Sequence, residues 1–116
     1  MNNKKITLNE AFASGLKNHQ LNKFKDAENF YKYVLKKAPK HFGSVFYLGT
    51  LFLQTNKFGL AKRLLQKAIQ IKPDFVEAYN NLGATLKGLG EYNEATKYLQ
   101  TALQIKPDNV DACNNL

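Results

Sequence analysis

Apolar residues along the chain recur three and four residues apart, which is the spacing of α-helices and not the alternation of strands. One such stripe contains Tyr79, Leu82, Gly83 and Leu86. After the break at Gly88-Leu89-Gly90, a second stripe contains Ala95, Leu99, Ala102 and Leu103. Two helices joined by a short glycine-containing turn form a helical hairpin. We therefore predict an all-α chain, with helices near residues 8–20, 24–37, 41–54, 58–71, 75–88 and 92–105 and a short helix from 109.

The hairpin pattern repeats with a constant period along the chain, and residues 71–82 return almost unchanged as residues 105–116. The equivalent small residues and prolines are Gly15, Gly49, Gly83, Ala27, Ala61, Ala95, Pro39, Pro73 and Pro107. Aromatic residues follow the same spacing at Phe24, Phe58 and Tyr92. We predict a single domain of three units, residues 8–41, 42–75 and 76–109, followed by a partial unit at 110–116.

The repeated residues have local structural roles. Gly83 and Ala95 are predicted where two helices cross, because larger side chains would push the pair apart. Each proline ends a second helix, since it lacks the N–H group and disfavours helix before it. We predict that Thr7 with Glu10 forms a capping box at the first helix. Asp74 with Glu77 is predicted to repeat this arrangement at the fifth helix.

Over residues 8–116 these repeated marks resemble the tetratricopeptide repeat family. The third unit matches the family pattern at Tyr79, Leu82, Gly83, Leu86, Gly90, Tyr92, Ala95, Leu99, Ala102 and Pro107. The first unit diverges most, with Ser14 and Asn18 where apolar residues are usual, which suits a terminal repeat. The resemblance implies a right-handed α-solenoid of antiparallel helix pairs that acts as a protein–protein interaction scaffold.

In this family the first helix of each pair lines a concave groove that receives a peptide or partner segment. By position, the resemblance places the following side chains in that groove: Phe12, Leu16, His19, Phe46, Tyr47, Thr50, Leu53, Asn80, Asn81, Lys87 and Asn115. Asparagine amides can pair with a peptide backbone, and aromatic rings commonly anchor ligands. The alternative is that the asparagines are solvated and the aromatic residues pack between helices.

Two variants of the family help to define the expected ligand. Asn81 and Asn115 are similar to the asparagine ladder of O-linked N-acetylglucosamine transferases, although Ala13 and Tyr47 occupy the earlier positions. Chaperone adaptors instead grip a terminal carboxylate with lysine, asparagine and arginine. The corresponding residues are Phe12, Leu16, Glu77 and Asn81, so we do not expect chaperone-tail binding.

The net charge of +8 is uneven along the chain. Residues 1–40 carry +6, residues 41–74 carry +4 and residues 75–116 carry −2. Many cations fall on second helices, which the resemblance places on the convex face: Lys25, Lys32, Lys36, Lys62, Arg63, Lys67 and Lys97. Binding of nucleic acid or an acidic surface there is an alternative function. We favour a solvated face and do not expect nucleic acid, because no aromatic residues interleave with these lysines.

Nothing in the sequence predicts an enzyme, a cofactor or a metal site. His19 and His41 lie on different units without an obvious nucleophile or carboxylate partner, so structural roles are expected. Cys113 is the single cysteine, which excludes an internal disulfide and predicts a packed small side chain. No stretch has the length and apolarity of a membrane span or signal peptide, and a cytoplasmic location is expected.

The partial unit leaves the face that contains Leu103 and Ile105 poorly covered. We therefore expect the chain to be part of a longer protein and to self-associate, as a homodimer, through this C-terminal end. Family analogy offers one more alternative, a substrate-recruiting repeat domain that precedes a bacterial glycosyltransferase or sulfotransferase domain.

Overall fold

The computed structural model describes residues 5–116, which form seven helices and no strand within that range. The helices are α1 (Leu8–Gln20), α2 (Phe24–Lys37), α3 (Phe42–Gln54), α4 (Phe58–Ile71), α5 (Val76–Gly88), α6 (Tyr92–Ile105) and α7 (Val110–Asn115). The all-α prediction is confirmed, and α1, α2, α4 and α6 have the predicted bounds.

Neighbouring helices pack as hairpins, α1 with α2, α3 with α4 and α5 with α6. Each hairpin stacks on the next through the contacts of α2 with α3 and of α4 with α5. The result is a right-handed α-solenoid with extents of 55 × 24 × 21 Å. Because every unit contacts only its neighbours, the core is a continuous strip of apolar side chains between the helices.

The two helices of each hairpin cross at a glycine. A methyl group added at Gly83 would lie 2.5 Å from Leu99 Cγ, and one at Gly49 would lie 3.0 Å from Leu65 Cγ. In the first hairpin, a methyl group at Gly15 would lie 2.7 Å from the ring of Tyr31. A larger residue at these crossings would press on a side chain of the second helix, most severely at Gly83 and Gly15, in agreement with the repeat pattern.

The turns inside the hairpins share a feature that the sequence analysis did not identify. Asn22, Asn56 and Gly90 all have left-handed backbone conformations, with φ of 60°, 61° and 79°. Asparagine and glycine tolerate this conformation best. The three residues hold equivalent positions in successive units. The recurrence of asparagine or glycine at this position could have predicted the left-handed conformation from the sequence.

One predicted capping box is confirmed and the other is wrong. At α1 the Glu10 N–H donates to Thr7 Oγ1 at 3.1 Å, and the Thr7 N–H donates to Glu10 Oε1 at 2.9 Å. At α5 the cap residue is Phe75, one residue beyond Asp74, so neither Asp74 nor Glu77 makes the predicted contact. The α5 helix therefore starts without a side-chain cap.

The prediction that Cys113 is packed is also wrong, because its side chain is exposed on α7. The equivalent residues Val45 and Tyr79 are buried, and the ring of Tyr79 lies 6.2 Å from that of Tyr98 on the second helix of its hairpin. The described chain supplies only six helical residues in the last unit and no second helix there. Within residues 5–116, no helix combines the length and apolar character needed to cross a bilayer.

Candidate functional site

An open cleft of about 440 Å³ lies between α1 and α3. Its lining consists of Leu16, His19, Gln20, Asn22, Tyr47, Thr50 and Gln54. Four of these, Leu16, His19, Tyr47 and Thr50, are predicted groove residues that the fold brings together from two units. The lining contains no aspartate, glutamate, lysine or arginine, so the cleft offers neutral hydrogen-bonding groups beside apolar surface.

His19 is held between two side chains at the floor of this cleft. Its Nε2 lies 2.6 Å from Gln54 Oε1, and its Nδ1 lies 2.9 Å from the hydroxyl of Tyr31. Because an amide oxygen only accepts, this arrangement assigns the proton of a neutral imidazole to Nε2, with Nδ1 accepting from the Tyr31 hydroxyl. Burial raises the pKa of Tyr31, with a smaller contribution from Tyr47, which keeps the phenol protonated as the donor. His19 therefore has a structural role, as expected.

Tyr47 is the main exposed aromatic surface of the cleft, with 38% of its surface accessible. Its ring centroid lies 5.1 Å from that of Phe46 and 6.1 Å from that of Phe12. On the other side it stacks at 6.5 Å on Tyr31. These neighbours fix the orientation of the ring, so a ligand that contacts Tyr47 meets a rigid apolar face.

Phe46 and Asn80 must be removed from the predicted groove, since each is only 6% exposed. If Leu8, Phe42 and Val76 are counted as repeat position 1, both residues occupy position 5, and both contact the last position of their own unit. Phe46 packs edge-to-face on Phe75 at 5.0 Å, and Asn80 pairs with Asn109 through two hydrogen bonds of 3.1 and 3.2 Å.

The first unit makes the same contact between position 5 and the last position, where the rings of Phe12 and His41 lie 4.9 Å apart. His41 also caps α3, because its Nδ1 accepts a hydrogen bond of 3.1 Å from the Ser44 N–H. Phe12 thus stays half-buried at the edge of the groove. Position 5 serves mainly to close each unit against the turn that follows its second helix.

Asn81 faces the groove but is partly engaged. Its Nδ2 donates to Thr50 Oγ1 at 3.0 Å, and the Thr50 hydroxyl donates to the Phe46 carbonyl oxygen at 2.9 Å. The Oδ1 of Asn81 accepts no hydrogen bond within residues 5–116. Asn81 therefore presents one acceptor at the end of the cleft, with its amide plane fixed by Thr50.

The remaining predicted residues lie outside the cleft. Leu53 is half-buried against the core. Lys87 donates from Nζ to the backbone carbonyl oxygen of Asn115 at 2.7 Å. This bond joins the end of α5 to the last helical residue of α7, so Lys87 and Asn115 are brought together by a structural contact. Within residues 5–116, no three histidine, cysteine, aspartate or glutamate side chains are grouped as a metal site would require.

Sequence reasoning missed three lining residues, Gln20, Asn22 and Gln54. Gln20 lies four residues after Leu16, and Gln54 lies four residues after Thr50, so each shares a helix face with a predicted groove residue. This i, i+4 relationship, which recurs at the same place in the second unit, could have identified both glutamines. Asn22 reaches the cleft only because the turn adopts its left-handed conformation.

Comparison with known sequences gives two family matches. A family model described as "Tetratricopeptide repeat" matches residues 76–109, and one described as "TPR repeat" matches residues 49–90. Together they span residues 49–109, just over half of the chain. A search among curated proteins gives no match.

Solved structures with this fold superpose closely. The first TPR of Spaghetti (RPAP3) bound to HSP90 peptide SRMEEVD has a TM-score of 0.89 and 22% identity, covering 94% of this chain and 86% of its own. The Arabidopsis OM64 TPR domain has a TM-score of 0.89 and 24% identity, covering 93% and 89%.

An O-GlcNAc transferase mutant from Thermobaculum terrenum gives a TM-score of 0.81 at 25% identity. The match covers 87% of this chain but only 19% of the transferase. The repeated hairpins, the glycine crossings and both family matches agree, and the chain belongs to the tetratricopeptide repeat family.

Proposed function

We propose that this chain is a protein-interaction scaffold whose groove binds an extended segment of a partner protein and catalyses no reaction. The observation that carries this proposal is the neutral cleft of about 440 Å³ between α1 and α3. A cleft of this size accommodates one or two side chains and the backbone between them.

The neutral lining of the cleft favours a peptide segment that binds without charged side chains. Gln20, Gln54 and Asn22 supply donors and acceptors that match peptide amide groups. Tyr47 and Leu16 supply the apolar contact for an anchoring side chain. We therefore expect a segment with one aliphatic or aromatic anchor between small or polar residues.

The ligand is expected to differ from the peptide in the RPAP3 complex. Acidic SRMEEVD ends in a carboxylate, and the cleft lining of this chain has no lysine or arginine to pair with it. Glu77, which the family resemblance places at one of the clamp positions, carries a negative charge. SRMEEVD is therefore a useful negative probe, for which we expect no saturable binding.

The proposal can be tested by selecting peptides from a random library on the intact chain and measuring their affinities by calorimetry. Tyr47→Ala should weaken a selected peptide about tenfold or more, because it removes the exposed anchor surface. The matched control is Tyr92→Ala, since Tyr92 is 63% exposed but lies on α6, outside the cleft. Equal affinities for Tyr47→Ala and the unaltered chain would contradict this proposal.

A second candidate function is recruitment of a substrate segment to a larger transferase. It rests on the match to the Thermobaculum terrenum O-GlcNAc transferase and on Asn81, whose Oδ1 is available. If Asn81 holds a peptide backbone, Asn81→Ala should weaken selected peptides severalfold, whereas Asn93→Ala on the exposed surface should not. If Asn81→Ala binds the selected peptides with unchanged affinity, Asn81 does not hold the peptide backbone in the manner of an asparagine ladder.

We also propose that the chain forms a homodimer through its C-terminal end. Leu116 is 53% exposed, whereas the equivalent Leu48 and Leu82 are 3% and 0% exposed. Val110 and Ile105, near the same end of the chain, are also exposed, at 66% and 39%. Burial of such a patch against a second copy removes it from water.

The dimer is tested by light scattering across a dilution series of the purified chain. We expect a mass that falls from dimer to monomer on dilution, and Leu116→Glu should give a monomer throughout. Leu60→Glu is the control, because Leu60 is 45% exposed on α4, away from this end. A strict monomer at high concentration would rule out the homodimer.

A further inference from the structure

A second cleft, of about 350 Å³, lies apart from the groove, between the turn that precedes α3 and the C-terminal half of α4. Lys40, Lys67, Gln70 and Ile71 line it, and none of them belongs to the neutral cleft described above. Two lysines, one glutamine and one isoleucine therefore border one space.

This cleft lies in the part of the chain that carries all of its net charge. Residues 24–72 contain ten basic and two acidic residues, a net charge of +8, and the remainder of the chain is neutral overall. Helix α3, within this segment, has no charged residue. The cations therefore come from α2, α4 and the turns, which are the elements that form and surround the cleft.

Neither lysine of the cleft has an anionic partner within residues 5–116. The ion pairs in that range are Lys32 with Glu28 at 2.6 Å and Lys62 with Glu91 at 2.9 Å. Lys67 is half-buried, as when the aliphatic stem of a lysine packs against the protein and its ammonium group reaches solvent. Two unpaired cations that share a cleft repel each other, and a bound anion relieves that repulsion.

The repeat supplies an internal comparison. One repeat earlier, Ile6 and Tyr33 hold the positions of Lys40 and Lys67, and the Tyr33 hydroxyl donates to the Ile6 carbonyl oxygen at 3.4 Å. This contact shows that the fold brings these two positions together. One repeat later, the equivalent positions hold Asp74 and Thr101. The paired lysines are therefore particular to the junction between the first and second units and are not required by the repeat.

We propose that the Lys40–Lys67 cleft is an anion site that binds a phosphoryl group carried by a partner protein. A phosphorylated side chain has close to two negative charges at neutral pH and several strong acceptor oxygens, which matches two ammonium groups and the amide of Gln70. Ile71 contacts the carbon chain that carries the phosphate. This interaction is independent of the groove and extends the scaffold to a second surface.

A compact dianion fits this surface better than a nucleic acid strand. A strand needs a track of cations along successive phosphates and aromatic rings on which bases stack. Here Asp74 and Thr101 stand at the equivalent positions one repeat later, so the pair of lysines does not continue along the solenoid. The lining also contains no aromatic residue.

The test is an NMR titration of the isotope-labelled full chain at constant ionic strength. The probes are inorganic phosphate, the tripeptide Gly-phosphoserine-Gly, its unphosphorylated form and a single-stranded oligonucleotide. We expect saturable shifts at the amides of Lys40, Lys67, Gln70 and Ile71 with the first two probes and none with Gly-Ser-Gly. The phosphotripeptide should bind more tightly than inorganic phosphate, since only it adds contacts to Ile71.

Lys40→Asp introduces the residue that stands at the equivalent position one repeat later, Asp74, and it should weaken binding of the phosphotripeptide about tenfold or more. Lys67→Gln should act similarly, whereas Lys97→Gln on the exposed face of α6 should change affinity less than twofold. Equal affinities for phosphate and phosphotripeptide would overturn the partner-protein source of the anion. The site would be overturned if the amide shifts were absent or spread over the whole chain. It would also be overturned if the oligonucleotide bound more tightly than the phosphotripeptide and if Lys40→Asp, Lys67→Gln and Lys97→Gln all weakened that binding equally.

Discussion

Asn80 and Asn109 exchange two side-chain hydrogen bonds across the third unit, each amide donating to the carbonyl oxygen of the other at 3.2 and 3.1 Å. Both residues are almost fully buried, at 6% and 5% exposure. Asn109 Oδ1 also accepts from the Ala112 N–H at 3.2 Å. This pair therefore fixes α5 and the start of α7 with one set of buried amides.

Asn80→Ala should lower the free energy of unfolding by about 1–3 kcal/mol, because it leaves the buried amide of Asn109 without its partner. The first amide protons to lose protection should be those of α7. Urea denaturation and hydrogen exchange measure these effects. Asn93→Ala, at an exposed position of α6, serves as the control. Equal stability of the two variants would show that water replaces the pair without cost.

The same pair explains where sequence reasoning about the groove failed. The constant period of the repeat determines which positions are equivalent, so the glycine crossings and the bounds of four helices followed from the pattern, whereas α3 and α5 begin one residue later than predicted. It does not tell whether position 5 points into the groove or towards the last position of its unit. The answer depends on whether both positions hold side chains that attract each other, as Phe46 with Phe75 and Asn80 with Asn109 do.

Local signals were also overridden at α5. Asp74 and Glu77 have the residue types and spacing of a capping box, yet the helix begins at Val76 after the cap residue Phe75. The ring of Phe75 packs on Phe42 and Phe46, at 4.8 and 5.0 Å between centroids. Packing of a large aromatic residue outweighs one capping hydrogen bond, which is typically worth about 1 kcal/mol.

Gly83→Ala should destabilise the chain, because the added methyl group would lie 2.5 Å from Leu99 Cγ. Overpacking of this kind costs about 1–3 kcal/mol and exceeds the gain in helix propensity. Gly49→Ala is the graded comparison, since its nearest contact is 3.0 Å from Leu65 Cγ. Chemical denaturation should give Gly83→Ala a clearly lower free energy of unfolding than Gly49→Ala. The reverse order would show that the side chain of Leu99 moves aside easily.

Gly59→Ala should have the opposite effect. Gly59 lies in α4, and a methyl group there would meet no atom within 4 Å. Alanine restricts the unfolded chain and favours the helix, so we expect a gain of up to about 1 kcal/mol in the free energy of unfolding. The midpoint of thermal unfolding should rise, and a fall would indicate a contact at this surface that only glycine permits.

The stability contributed by Glu10 should depend on pH. Hydrogen bonds from the Thr7 backbone N–H, and to a smaller extent its side chain, lower the pKa of Glu10 in the folded state below its ordinary value of 4.5. The contribution is therefore present above pH 4.5 and is lost as the pH falls through the folded-state pKa.

Glu10→Gln should accordingly be less stable than the unaltered chain near neutral pH, and the difference should shrink as the pH is lowered. Urea midpoints at several pH values between about 6 and 3 measure this convergence. Glu77→Gln provides the control, because Glu77 is exposed and accepts no capping hydrogen bond. A difference that stays constant with pH would mean that Glu10 acts only through its shape.

Phe58 and Tyr92 occupy the same repeat position but should contribute very differently to stability. The ring of Phe58 covers Gly88 so closely that a methyl group there would lie 2.6 Å away, whereas Tyr92 is 63% exposed at the start of α6. Phe58→Ala removes ring contacts between two units, and we expect a loss of about 2 kcal/mol or more. Tyr92→Ala should change the free energy of unfolding by less than about 0.5 kcal/mol. Denaturation of both variants at one low concentration, where self-association is absent, separates these cases. Similar losses of stability for Phe58→Ala and Tyr92→Ala would mean that the aromatic residue at this position stabilises its own helix and not the contact with the next unit.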